Sequence, residues 1–242
     1  MKDRIKIQAW DKDLFNYLYA NKISTLEQIS RDLPKYNSKS SYIWRLWKLK
    51  KLGYLTGQYN EDHDGTNIYR VTKETYRKYL SRGAEPQIVL GSNAVPHDLD
   101  LVDIKSIISK SKKVRNYYTE NMIQSWIDGN YKNLTPFKKL NADAAINVNV
   151  SDDNFWFGLE YEASVKSQKR YDELFSNFYF EDDIVAILYI CKSKSIMKDL
   201  KKSESNIAGN NTKKIYYTTL DSLLDNNLVF ENLDGMTIDL ND

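Results

Sequence analysis

Three carboxylates and a lysine fall within the stretch from Asn141 to Tyr171. Asp143 sits in the run N-A-D-A-A-I-N-V-N-V. Glu160 and Glu162 sit in F-W-F-G-L-E-Y-E, and Lys166, Lys169, Arg170 and Tyr171 follow. Glu160 and Glu162 are two positions apart, so in a strand they point to one face. Like charges placed so repel unless a cation lies between them. Mg²⁺ or Mn²⁺ prefers such oxygen ligands and keeps part of its water shell. The pattern therefore predicts a metal held by Asp143, Glu160 and Glu162. The chemistry such a centre could perform is phosphodiester cleavage, with Lys166 steadying charge on the phosphate or orienting the nucleophile.

These side chains need strands to aim them. Asp143, Ala145, Asn147 and Asn149 alternate with Ala144, Ile146 and Val148, as in a strand. F-W-F-G-L-E-Y-E is a second strand, and S-D-D-N between them reads as a hairpin turn. The periodicity predicts a helix over Val165–Tyr179 and a fully buried strand in D-I-V-A-I-L-Y-I-C. K-K-I-Y-Y-T-T reads as a weaker strand and Leu220–Leu224 as a short helix. Upstream, Leu99, Val102, Ile107 and Ile108 make one helical face; Asp98, Asp100 and Asp103 favour that helix's dipole. Met122–Asp128 reads as another short helix anchored by Trp126. The tail 226–242 fits either a last strand pair or a docking segment.

The first third has a different grammar. A helix is expected over Asp11–Ala20. A second is capped by Ser24 with Glu27 in the S-x-x-E pattern and stops at Pro34. A third, capped by Ser38 or Ser40, carries the stripe Ile43, Leu46, Leu49 and Leu52 and ends at Gly53. Two strands then flank the polar tip N-E-D-H-D-G, where His63 reads as a solvated loop residue, and a helix follows from Lys73 to Leu80. Three helices and a hairpin are the winged helix-turn-helix order. The third helix bears Lys39, Arg45, Lys48, Lys50 and Lys51 and no acid. It is expected to enter the DNA major groove, with the basic side chains on phosphates and Ser41, Tyr42 or Arg45 on base edges. Trp44 and Trp47 are expected to pack in the core or against the wing rather than to stack on bases.

Charge follows the same division. Residues 1–85 hold 17 Lys+Arg against 10 Asp+Glu, and the rest 18 against 23. A basic front suggests a polyanionic partner. The single cysteine, Cys191, allows no intrachain disulfide and no cysteine zinc site, and reads as a buried thiol. No segment is apolar enough to span a bilayer and the N-terminus lacks a signal-peptide pattern, so a cytoplasmic protein is expected. There is no glycine phosphate loop and no nucleophile elbow. Only His63 and His97 are present, which excludes relaxases that hold metal on a histidine cluster. The expected organisation is a winged helix over 1–82, a linker over 83–96 and an α/β core over 97–242, an α+β or α/β chain in all.

H-D-L near residue 97, N-A-D-A at 141–144 and L-E-Y-E-A-S-V-K-S-Q-K-R-Y at 159–171 together resemble the replication-relaxation family and its MOBC-type plasmid relaxases. The resemblance covers nearly the whole chain. It implies a winged helix joined to a restriction-endonuclease-like core of PD-(D/E)xK type. It also implies metal-dependent nicking at a plasmid transfer origin during mobilisation, on duplex DNA with local single strand and with an auxiliary mobilisation protein. His97 and Asp98 match the family's H-D motif, and Lys169 and Arg170 would meet DNA. Two departures stand out: Glu162 occupies the usual lysine position, and Ala142 replaces the usual proline. The alternatives are a DNA-binding plasmid replication or transcription regulator with a degenerate core, and a restriction-type endonuclease cutting both strands. Tyr161 and Tyr171, nearest the acids, read as packing residues rather than nucleophiles.

Overall fold

A computed structural model describes residues 5–60, 66–81, 90–126, 132–150 and 153–241. The chain divides into two compact units, Met1–Asp103 and Ile104–Asp242, and is mixed α and β throughout. His63, Arg82, residues 83–89 of the expected linker and the turn residues Ser151 and Asp152 lie outside the described residues.

The first unit starts with α1 (Ala9–Ala20), which buries Leu14, Phe15 and Leu18. Strand β1 (Ser24–Thr25) leads into α2 (Leu26–Asp32). The cap is Thr25 and not Ser24: its side chain accepts the Gln28 N–H, and the Gln28 side chain accepts the Thr25 N–H in return. The reciprocal box is therefore present one residue later than the S-x-x-E pattern suggests. Helix α3 (Lys39–Lys51) is capped by Ser38, and Gly53 at φ +82° turns the chain out of it. Strands β2 (Leu55–Asn60) and β3 (Thr66–Val71) pair antiparallel, and β1 adds to β3, giving the order β1-β3-β2. A helical segment follows as α4 (Lys73–Thr75), continuing as a π-turn over Tyr76–Leu80.

The division between the units falls inside α5 (Val95–Ile108). Its first part belongs with the first unit. Leu99 packs with Ile23 and Ile68, and the Leu99 carbonyl accepts from the Gln28 side chain.

In the second unit, β4 (Val114–Thr119) leads into α6 (Glu120–Trp126), a 3-10 turn (Lys132–Leu134) and α7 (Thr135–Lys139). Strands β5 (Ala144–Val150) and β6 (Asp153–Glu162) form the expected hairpin. Helix α8 (Gln168–Phe180) returns the chain to β7 (Ala186–Cys191), and α9 (Lys194–Ala208) returns it to β8 (Ile215–Thr219). Both crossovers make parallel pairs, which need a long connection. Then come α10 (Leu220–Leu224) and the antiparallel pair β9 (Val229–Glu231) and β10 (Thr237–Asp239), which decides the tail in favour of strands. The sheet order is β10-β9-β8-β7-β6-β5-β4. Every residue of β7 is buried, as its unbroken apolar run requires. Phe175 and Phe178 of α8, Leu200 of α9, Phe137 of α7 and Tyr189 of β7 share one apolar cluster. Gly158 of β6 lies in the same layer. A Cβ there would stand 2.5 Å from Ile187 Cδ1 and 3.2 Å from the Phe137 ring, both buried. Among the described residues no helix is long and apolar enough to cross a membrane.

Candidate active site

The ladder of the central sheet brings the acids together. Ala144 stands opposite Leu159, so the next pair inward sets Asp143 beside Glu160. On the other side Thr119 stands opposite Ala144, and the Glu120 N–H donates to the Asp143 carbonyl at 2.8 Å. Glu160 in turn lies opposite Tyr189 of β7. Glu120, Asp143, Glu160 and Tyr189 therefore form one row across four neighbouring segments, because directly paired residues share a face. Glu162, one pleat along β6, is opposite Cys191.

Each acid has its own setting. Asp143 is half-buried, and its Oδ2 accepts the Tyr161 N–H at 2.9 Å, which fixes its carboxylate against β6. Glu162 is buried, and Lys166 Nζ lies 2.8 Å from its Oε2. The Tyr189 hydroxyl approaches the same oxygen at 3.5 Å. Glu160 is half-buried. Withdrawal from water raises its pKa well above the ordinary value, Asp143, Glu162 and Glu120 raise it further, and Lys166 opposes them. Glu160 is thus the acid of the row whose charged form its surroundings least support, with Lys166 offsetting that only in part. Such imbalance in a reachable position marks functional sites.

Tyr161 and Tyr171 are both buried. The Tyr171 hydroxyl accepts the Lys166 N–H at 2.7 Å, which positions the lysine-bearing segment after β6. Cys191 is buried, and burial pushes its thiol pKa up to about 12. Lys169 and Arg170, at the start of α8, are exposed, with Lys169 Nζ 3.9 Å from Glu173.

His97 and Asp98 belong to the first unit. His97 Nδ1 lies 3.3 Å and Lys22 Nζ 3.4 Å from Asp98 Oδ1. Burial works to raise the Asp98 carboxyl pKa, but His97 and Lys22 outweigh it and hold it below the ordinary value. Asp98 thus stands at a helix start, as the dipole reading requires, and is also a buried ion-pair partner.

The residues expected to contact DNA on α3 separate into two sets. Arg45 is buried: its Nε donates to Asp11 Oδ1 at 2.8 Å, its Nη2 bonds Asp11 Oδ2, and the same nitrogen donates to the Lys6 carbonyl at 3.2 Å. Tyr42 is buried too. Its hydroxyl accepts the Lys35 N–H at 2.6 Å and donates to the Leu33 carbonyl. Neither side chain can read base edges from there. They face inward because positions 42, 45, 46 and 49 follow the i, i+3, i+4, i+7 spacing of one helix face. The expected stripe of Ile43, Leu46, Leu49 and Leu52 advances by three throughout and drifts off that face; Ile43 is 47% exposed. The tryptophans are the second correction. Trp44 and Trp47 point outward, 54% and 52% exposed. Lys39 bonds Glu27, Lys50 bonds the Gly57 carbonyl, and Ser41 shares a hydroxyl contact with Ser38.

Among the described residues the row presents carboxylate and hydroxyl oxygens, a donor set that suits Mg²⁺ or Mn²⁺. These ions commonly take one or two carboxylates, with water and phosphate completing the shell. Among the described residues, no group of three or more His, Cys, Asp and Glu side chains is gathered so as to hold a metal ion. Glu162 has Lys166 as its close partner; Asp143 and Glu160 are the neighbouring acids that could hold an ion. Glu120, unmarked in the sequence reading, joins the row through the sheet register alone.

No protein-family model, curated protein or solved structure matches the chain.

Proposed function

We propose that this chain is a metal-dependent DNA endonuclease that nicks one strand, a relaxase acting at a plasmid transfer origin. The observation that carries the reading is the row of Glu120, Asp143 and Glu160, with a strongly perturbed Glu160 balanced in part by Lys166. Bound Mg²⁺ or Mn²⁺ would supply positive charge for the phosphate and make a water more acidic. Asp143 and Glu160 would hold it. Lys166, anchored on Glu162, presents a cation beside the row, where it stabilises negative charge building on a phosphate oxygen. The Tyr161 N–H keeps the Asp143 carboxylate oriented.

The first unit supports DNA recognition. Its order α1-β1-α2-α3-β2-β3, with three strands arranged β1-β3-β2, is consistent with a winged helix. A restriction-like core for the second unit is the matching architectural proposal.

A supercoiled-plasmid relaxation assay tests this reading. The plasmid carries the gene's own flanking DNA, and reactions run with Mg²⁺ or Mn²⁺ and with chelator. Metal-dependent open-circular product, lost in Asp143→Ala and Glu160→Ala, is the expected result. Linear product would favour a double-strand endonuclease. The second reading, a DNA-binding regulator with a degenerate core, draws on the absence of a three-ligand group among the described residues. Retained DNA binding with no cleavage under either metal, auxiliary protein included, would select it.

A further inference from the structure

The outward face of α3 carries a feature that a major-groove reader does not need. Ile43, Trp44 and Trp47 together expose a large apolar surface on one short helix. Lysines surround it. Lys48 Nζ lies 4.5 Å from the centre of the Trp44 ring, and Lys51 Nζ lies 5.0 Å from that of Trp47. Lys39 and Lys50 are exposed on the same helix, which contains no acid. The side chains suited to bidentate base-edge contacts are Arg, Asn and Gln. The only one of these on α3 is Arg45, and it is buried on Asp11. The exposed face therefore offers flat π surfaces and cations, and almost nothing that reads an edge.

We infer that the Trp44–Trp47 face of α3 is a stacking platform for unpaired bases, with its lysines on the adjoining phosphates, so that this helix binds single-stranded rather than intact duplex DNA. Unpaired bases present π faces that a duplex hides, and indole stacking on them is largely indifferent to sequence. The lysines over the rings hold the indoles in place by cation–π attraction and remain close enough to the surface to meet a backbone. The charge on this helix selects a polyanion over an apolar protein partner. The inference rests on the reading of the first unit as DNA-binding, and it names the strand state that this unit captures.

The test uses the full chain and fluorescence anisotropy of labelled oligothymidine of about twenty nucleotides, beside a duplex of the same length. Wild type should prefer the single strand. Trp44→Ala and Trp47→Ala should each weaken single-strand binding roughly tenfold and leave duplex binding little changed. Trp44→Phe should restore most of the loss, since a ring still stacks. Both indoles are more than half exposed, so these proteins should keep the wild-type circular dichroism and melting temperature. Wild-type affinity in the alanine variants overturns the inference. So does an equal loss on single strand and duplex, and so does loss of a dimer in sedimentation with oligonucleotide affinity unchanged, which would give the face to a second copy of the chain. Plasmid nicking by these same proteins separates the two levels. Wild-type nicking with unaltered oligonucleotide binding removes the platform alone, whereas a wild type that binds no DNA removes the parent reading with it.

Discussion

Asp11 in the first unit and Glu160 in the second are both carboxylates held away from bulk water, with opposite surroundings. Asp11 is fully buried and is grasped through two nitrogens by Arg45, while also accepting the Gln8 N–H at 2.7 Å. Its charge is used up inside the fold. Glu160 is half-buried and set among Asp143, Glu162 and Glu120, with Lys166 as the opposing charge. A carboxylate matched within the chain holds structure together; one crowded by its own kind is where a counter-charge from outside would be most stabilising. A related contrast separates the cations of α3, where Arg45 is matched inside the fold and the exposed Lys39 meets Glu27 only at the surface.

The strongest way to break this comparison is to remove the matching cation. Arg45→Ala should cost about 3–5 kcal/mol of stability in urea denaturation, because it strands a buried charge. Arg45→Met combined with Asp11→Leu should recover most of that loss. A stable Arg45→Ala protein that has lost DNA binding would instead make Arg45 a DNA contact. Next comes Glu160→Gln, which keeps shape and removes charge. On the proposed function, nicking should fall at least about a hundredfold, while unfolding in chelator should require about 1 kcal/mol more. Loss of both stability and activity would show that Glu160 is matched after all.

Glu204 sharpens the contrast from within the second unit. It is buried, and it accepts hydroxyl bonds from Tyr179 and, at 2.9 Å, from Tyr217. Burial raises its pKa, and the two hydroxyls oppose the rise without cancelling it. The folded state then holds the proton more tightly than the unfolded chain. Its contribution is therefore full below the ordinary value of 4.5 and is lost as pH rises through the elevated folded value. Glu204→Gln should flatten that part of the pH–stability curve, by about 1.4 kcal/mol for each pH unit the window spans. The smallest effect belongs to Lys39→Ala. Its bridge to Glu27 is exposed on both sides, so thermal stability should move by no more than about 0.5 kcal/mol.

Much of the second unit was legible because its signals are local. Period-2 alternation announces the hairpin that carries Asp143 and Glu160, although β6 starts at Asp153, inside the expected S-D-D-N turn, and it is this tighter turn that sets Asp143 opposite Glu160. Strand β7 announces itself as an unbroken apolar run. Glu120 was not legible. It reaches the row only through the pairing of β4 with β5, and β4 is a polar, half-exposed edge strand with a register shift near Val114. Helix α9 escaped notice because polar Ser203 and Glu204 sit in its buried stripe beside Ile196 and Leu200. In the first unit, counting cations on α3 could not tell its faces apart. What turned Arg45 inward was Asp11, thirty-four residues earlier, and no local pattern carries that distance.

Gly158 gives the second unit an evolutionary asymmetry. It precedes Glu160 by one pleat and makes room for Ile187 and Phe137, two side chains of the packed layer beneath the row. If the proposed activity holds, a descendant that gave up cutting could exchange Glu160 for a neutral residue in a single step and keep its scaffold. Exchanging Gly158 would instead force buried neighbours apart and displace the strand that carries the acids. Across diverged copies, the glycine should outlast the carboxylates, marking the ancestry of the scaffold in lineages where the chemistry has gone.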